Sequence, residues 1–173
     1  MNDRFAHQLR LDQIRDGERL DLVADETERR SVADRLGLAS LERLEAHAIM
    51  SKNGEVVRAE GRITAALEQS CIATGEPVPA HVDEPFILQF LPDRIEAVPN
   101  EEIELGADDC DTVFYDGAQI DLGGAIADTL ALSVDPYPRS PGAEMALKEA
   151  GVLSEEQAGP FAALAALKKG SDS

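Results

Sequence analysis

Hydrophobic and polar residues alternate along much of the stretch between residues 40 and 90, which is typical of half-buried β-strands. The alternation is clearest over residues 44–50 and 57–67. Asn53 and Gly54 lie between these runs, and this pair is a strong signal for a two-residue hairpin turn. The sequence therefore predicts an antiparallel pair with one buried face and one solvated face.

Three further strands are predicted from shorter or interrupted patterns. Residues 5–11 alternate in the same way, and residues 20–23 resemble a second short strand. A longer run over residues 78–90 keeps one parity of apolar positions. Because Pro79 and Pro85 fall within it, we expect an edge or interrupted strand there.

Two helices are indicated by their start and stop signals. Asp25 is a suitable N-cap, Glu28 stands at the capping-box position and Gly37 is a suitable terminator. Asp121 is a possible N-cap for a second helix, which we expect to end before Pro136. The apolar face predicted for the second helix consists of Leu122, Ile126, Leu130 and Leu132.

The remaining segments show little periodicity. We expect residues 93–118 to form a long, acidic and partly mobile loop, with a short strand over residues 102–105. Residues 155–169 read as a short amphipathic segment, and residues 170–173 as a disordered tail. The sequence as a whole predicts one α+β domain over residues 1–169, with an antiparallel β-sheet, helices packed on one face and a long acidic loop.

Charge changes this picture because it is concentrated in one segment. The chain carries a net charge of −18, and residues 93–121 contain ten carboxylates and one arginine, a net of −9. Such a segment repels a phosphate backbone and attracts cationic side chains. The seven aromatic residues are too few for a stacking surface among basic residues. We therefore expect no DNA partner and do not favour direct RNA contact.

The acidic segment supplies the candidate partner-binding residues. Apolar residues are interleaved with its acids, which suits docking to a basic protein; a solvated loop anchored to the core is the open alternative. The spacing of the aspartates does not match a calcium-binding loop, so no metal site is predicted. The candidate residues are Glu101, Glu102, Glu104, Asp108, Asp109, Asp111 and Asp116.

Basic residues in the first half of the chain are the candidates for any RNA contact. Arg43, Arg58 and Arg62 lie on the predicted hairpin, where they could build a local positive face. Ordinary surface ion pairing with nearby glutamates is the favoured alternative.

Cys71 is the candidate nucleophile if the protein is an enzyme. A reactive thiol needs a lowered pKa, whereas acidic neighbours raise it, so a small buried residue at a strand end is the favoured interpretation. Cys110 lies between two aspartates and is a weaker candidate for the same reason. His7, His47 and His81 lie on separate predicted strands and are expected to be surface residues. No nucleotide-binding or zinc motif is present, and no cofactor is expected.

The first residues contain charges throughout and no apolar core, so we see no secretory signal. No stretch approaches the length of apolar sequence that a membrane span needs. A cytoplasmic location is the resulting expectation.

Several segments taken in order resemble a known family. They are the turn over residues 71–78 (CIATGEPV), the strand that ends at Phe90, the acidic insert, and the stretch from Ile120 (IDLG) to Arg139 (PYPR). This order is similar to the YceD family, the bacterial large ribosomal RNA subunit accumulation proteins. The resemblance spans roughly residues 5–145.

The resemblance implies a non-enzymatic role in the accumulation of large-subunit ribosomal RNA and in ribosome assembly. It implies as partner a pre-ribosomal particle, and the charge adds a basic ribosomal protein as the direct contact. Many family members have a second cysteine where this chain has Thr74, so no metal or redox role is carried over to that turn. The alternatives are a thiol-dependent enzyme using Cys71 and an acidic protein-binding module unrelated to ribosomes.

Overall fold

A computed structural model describes residues 5–93 and 110–152 of the chain. Its helices are α1 (Glu26–Leu36), α2 (Leu122–Ser133) and α3 (Ala143–Glu149). Its strands are β1 (Gln8–Arg10), β2 (Arg19–Val23), β3 (Ser40–Asn53), β4 (Val56–Ser70), β5 (Pro77–Pro92), β6 (Asp111–Tyr115) and β7 (Gln119–Asp121). The prediction of an α+β protein is confirmed at this level.

Five strands form the main sheet in the order β2-β3-β4-β5-β6, and β1 pairs with β7 in a separate two-stranded sheet. Strands β2 and β3 are antiparallel, as are β3 and β4. Strand β6, however, runs parallel to β5. The prediction of a wholly antiparallel sheet is therefore wrong at this edge, where the main sheet is mixed.

The long hairpin of β3 and β4 has the predicted turn and the predicted faces. Asn53 pairs with Val56, and Gly54 adopts a positive φ of 62°, which a two-residue turn of this kind requires. The alternate residues Leu44, Ala46, Ala48 and Met50 of β3 are buried. Burial on one parity follows from the two-residue period of a strand, so the hairpin prediction is confirmed.

Strand β5 is not simply an edge strand. It has β4 on one side, and Leu88–Pro92 pair with β6 on the other. Pro79 and Pro85 lie before this paired stretch, where their missing N–H groups do not interrupt the β5–β6 ladder. The edge prediction is therefore wrong for the last part of β5.

The predicted loop over residues 93–118 contains regular structure. Asp111–Tyr115 form β6, so this part of the loop prediction is wrong. The five residues pair with a strand that lies about twenty residues earlier in the chain, and their own short pattern gave no sign of this pairing. Residues 94–109, with the short strand predicted over residues 102–105, lie outside the described residues.

Both predicted helix starts are confirmed by their caps. The Asp25 carboxylate accepts from the Glu28 N–H, and the Glu28 carboxylate accepts from the Asp25 N–H, each at 2.8 Å. Gly37 ends α1 in the left-handed conformation. The Asp121 carboxylate accepts from the Gly124 N–H at 2.9 Å at the start of α2.

One residue of the apolar face predicted for α2 is wrongly placed. Leu122, Ile126 and Leu130 are fully buried, whereas Leu132 is 77% exposed. A helix turns by about 200° over two residues, so Leu132 points away from the side that Leu130 occupies. Buried residues of α1 and α2 join those of β3, β4 and β5 in one hydrophobic core.

The described residues fall into two compact units. The first comprises residues 5–69, 79–93 and 110–136, and contains the main sheet, α1 and α2. The second comprises residues 70–78 and 137–152, and contains α3, which the sequence did not predict. The single domain over residues 1–169 stays a prediction, and the segments predicted over residues 155–169 and 170–173 lie outside the described part of the chain. None of the three described helices has the length and apolarity to cross a membrane.

Candidate functional site

The structure places two of the seven candidate acidic residues at the two ends of β6. Asp111 is the first residue of the strand and Asp116 follows its last residue, and both are exposed. The other five, Glu101, Glu102, Glu104, Asp108 and Asp109, lie outside the described residues. The acidic segment of residues 93–121 thus contains the last strand of the main sheet.

Adjacent residues of β6 have opposite environments. Tyr115 is 7% exposed, and its hydroxyl donates to the backbone carbonyl of Glu55 at 2.5 Å. Burial, and then the charge of Glu55, raise the pKa of Tyr115 above its ordinary value. Phe114, by contrast, is 62% exposed. Aromatic residues are enriched in protein-binding interfaces, whereas a single exposed ring is also ordinary on a protein surface.

A groove of about 350 Å³ lies between β6 and the first half of α2. Val113 and Phe114 contribute apolar surface to its walls, behind which Phe90 and Ala125 are buried. We call it the β6–α2 groove. Its charged residues are Arg35, Asp116, Asp121 and Asp128.

Among the residues that the structure describes, the one cation lining this groove already has an acidic partner. Arg35 forms an ion pair with Asp128 at 3.0 Å. Asp121 accepts from the backbone N–H groups of Gly124 and His7, at 2.9 and 3.1 Å. With three carboxylates and one guanidinium, the groove lining carries a net charge of −2.

The three candidate RNA-contacting arginines each have a carboxylate partner on the surface of the main sheet. Arg43 pairs with Glu45 at 2.6 Å, and Arg58 approaches Glu60 at 3.7 Å. Arg62 pairs with Asp83, a residue of β5. The hydrogen bond to Glu45 raises the pKa of Arg43, and that bond in turn lowers the pKa of Glu45. The geometry matches the ion-pairing alternative, and RNA contact by these residues stays a prediction.

Cys71 lies in the second unit, in a turn that is closed by hydrogen bonds. Its N–H donates to the Glu76 carbonyl at 2.8 Å, and its own carbonyl accepts from the Gly75 N–H at 2.9 Å. The Ser140 N–H donates to Cys71 Sγ at 3.2 Å, and the Thr74 hydroxyl lies 3.1 Å from the Ser140 hydroxyl. Cys71 is 3% exposed, which agrees with the predicted buried residue at a strand end.

The prediction that acidic neighbours raise the pKa of Cys71 is wrong. Hydrogen bonds from the hydroxyl and the N–H of Ser140, followed by that of Thr74, lower the pKa of Cys71 to about 6. Acids near Cys71 in sequence suggested a raised pKa, but Ser140 lies 69 residues away and its donors stabilise the thiolate. The turn thus directs hydrogen-bond donors at a sulfur that solvent barely reaches.

Among the residues that the structure describes, no three His, Cys, Asp or Glu side chains are grouped as metal ligands. His7, His47 and His81 are exposed, and His47 hydrogen-bonds Asp21 on the neighbouring strand. The sequence reasoning did not identify the edge formed by β6 or the contact of Ser140 with Cys71. The run DTVFY, rich in β-branched and aromatic residues, was the one local signal for β6.

The comparisons with known proteins give one match. A sequence model of the family described as "Large ribosomal RNA subunit accumulation protein YceD" matches residues 59–168, which include the Cys71 turn, the acidic segment, β6 and α2. No curated protein and no solved structure matches the chain significantly. Because the match covers more than half of the sequence and confirms the resemblance found above, this chain belongs to the YceD family.

Proposed function

We propose that this protein is a non-enzymatic assembly factor of the large ribosomal subunit that holds a basic ribosomal protein through its acidic segment. The family description, which names the accumulation of large ribosomal RNA and no chemical reaction, supports the ribosomal part. The observation that carries the choice of partner is the charge: ten carboxylates and one arginine within residues 93–121.

The physical reason is electrostatic. Proteins that bind RNA through its phosphates use clustered lysine and arginine side chains, and the release of counterions supplies much of the affinity. Arg43, Arg58 and Arg62 are instead paired with carboxylates. A basic ribosomal protein has the opposite charge to the acidic segment, so attraction speeds their encounter and RNA could later displace the acidic segment.

Pull-down with individually purified basic proteins of the large subunit, and in parallel with large-subunit RNA, tests this proposal. We expect at least one basic protein to be retained at low salt and released at high salt, because the Debye length falls from about 30 Å at 0.01 M to about 3 Å at 1 M. Tight retention of RNA with no retention of a basic protein would contradict it. Retention of neither would favour an acidic module unrelated to ribosomes.

A charge-neutralised variant makes the test specific to the acidic segment. The variant carries E101Q, E102Q, E104Q, D108N and D109N, and we expect it to lose the salt-sensitive retention. A matched control removes five carboxylates from exposed positions elsewhere and should retain the partner. The control substitutions are D34N, E42Q, E84Q, E144Q and E149Q.

A thiol-dependent enzyme is the second candidate, because a Cys71 pKa of about 6 makes the thiolate the main form at neutral pH. Burial of the sulfur opposes it, since a nucleophile must reach its substrate. Ribosome profiles of Cys71→Ala separate the two candidates. A factor that acts by binding keeps its profile if the variant folds, whereas a thiol enzyme loses function in Cys71→Ala and also after alkylation of the wild-type thiol.

A further inference from the structure

Strand β6 has an outer edge on which the described residues place no partner strand. It is the last strand of the main sheet, and its only described neighbour is β5. The Tyr115 carbonyl accepts from the Asp93 N–H at 2.9 Å, on the side of β5. Because backbone groups alternate sides along a strand, the N–H and C=O groups of Thr112 and Phe114 point away from β5. Such a row of backbone groups is a template for another strand.

The surroundings of this edge offer a place for side chains as well as for a backbone. Phe114 is 62% exposed, and the β6–α2 groove of about 350 Å³ lies beside the strand. Val113, which is half-buried, and Phe114 supply apolar contacts in the groove. In strand addition, backbone hydrogen bonds supply affinity, and a pocket for alternate side chains supplies selectivity.

Charge decides what kind of strand fits. The described lining of the groove has a net charge of −2, and Arg35, the cation within it, is already paired with Asp128. Asp111 and Asp116 stand at the two ends of β6. An incoming acidic segment would meet like charges at both ends of β6, whereas a basic one would meet opposite charges there.

We infer that the outer edge of β6 and the β6–α2 groove bind an extended basic segment of a partner protein as an additional strand. An apolar side chain of that segment fills the groove, and its lysines or arginines face Asp111 and Asp116. This inference rests on the proposed function, because it gives the basic ribosomal partner a mode of binding. It concerns β6, which is a described part of the acidic segment, and does not involve residues 94–109.

The experiment uses the full chain and a short peptide in which lysine and valine alternate, with a glutamate–valine peptide as the matched control. We expect the basic peptide to protect the amides of Thr112 and Phe114 from hydrogen exchange, and the acidic peptide to leave them unchanged. Thr112→Pro removes the outward N–H and leaves the bonds to β5 in place, so we expect about a tenfold loss of affinity for the basic peptide. Thr112→Val keeps the N–H and should bind like the wild type.

A second measurement keeps the test valid if Thr112→Pro does not fold. A lysine–valine peptide that is methylated at alternate backbone nitrogens lacks the N–H groups on one side, so it cannot form all the backbone hydrogen bonds to β6. We expect its affinity for the wild-type protein to be about tenfold lower than that of the unmethylated peptide. Equal binding of the methylated and unmethylated peptides, or exchange protection elsewhere on the chain, would overturn the inference.

The two proposals can fail separately. If no basic protein of the large subunit is retained but the peptide protects Thr112 and Phe114, the proposed function fails and the binding edge stands. If a ribosomal protein is retained equally by the wild type and by Thr112→Pro, the proposed function stands and the binding edge is wrong.

Discussion

Tyr115 and Phe114 are neighbours on β6, and the structure predicts very different effects on stability when each is changed to alanine. Tyr115 is 7% exposed and its hydroxyl donates to the carbonyl of Glu55, which links β6 to the turn between β3 and β4. Truncation of a buried aromatic ring to alanine costs about 3–5 kcal/mol, and we expect Tyr115→Ala to fall in this range.

The hydroxyl and the ring contribute separately to this loss. Tyr115→Phe removes one hydrogen bond, which is worth about 0.5–1.5 kcal/mol. Because Glu55 is an exposed residue, water can replace the lost donor at its carbonyl, and we expect the lower end of this range. Phe114→Ala removes a ring that is mostly in solvent, so its effect should lie within about 0.5 kcal/mol of zero.

Urea unfolding followed by circular dichroism gives the three free energies of unfolding, and similar m-values would show that the variants unfold in the same way. The expected order of destabilisation is Tyr115→Ala, then Tyr115→Phe, then Phe114→Ala. A loss of about 2 kcal/mol or more in Phe114→Ala would refute the reasoning, because that ring would then have to be buried. Phe114→Ala should nevertheless lower the affinity of the protein for the lysine–valine peptide. The effects of this residue on binding and on stability would then be distinguished.

Three further predictions test the helices and the Cys71 turn. In a Cys110→Ser background, the ultraviolet absorbance of the Cys71 thiolate should titrate near pH 6. Because a thiol in the unfolded chain titrates near pH ~8.5, the stability that the thiolate contributes is complete above pH ~8.5 and is lost as the pH falls through about 6. Titration of Cys71 near pH ~8.5 in the folded protein would contradict this. Leu130→Ala should cost about 2–5 kcal/mol and Leu132→Ala almost nothing, measured by urea unfolding; equal losses would place Leu132 in the core. Asp25→Ala should cost about 1 kcal/mol because it removes the capping box of α1, and an unchanged unfolding midpoint would show that the cap contributes nothing.

The parts of the fold that could be predicted are those in which local sequence carries the information. The hairpin of β3 and β4 has a two-residue period on both strands and a turn that requires Gly54 in a positive φ conformation. The caps Asp25 and Asp121 act on N–H groups three residues away. In these cases the interacting residues are close neighbours in sequence, so a reading of the pattern is sufficient.

The parts that could not be predicted depend on contacts between distant residues. Strand β6 exists because it pairs with the end of β5, and five residues alone are too short to show such a pairing. The lowered pKa of Cys71 depends on Ser140, which no rule of local sequence places beside it. The candidate acids were found from composition, but composition could not show that Asp111 and Asp116 flank a strand whose outer edge has no partner strand among the described residues.

An open sheet edge is normally a hazard, because it can pair with the same edge of another copy. Here the charge of the chain works against that outcome. Two copies meeting at β6 would bring together the carboxylates at the ends of both strands, within proteins that each carry a net charge of −18. The same charges attract a basic strand. In the proposed binding mode, the acidic surroundings of β6 therefore disfavour self-association and favour a cationic partner at the same edge, beside the exposed Phe114.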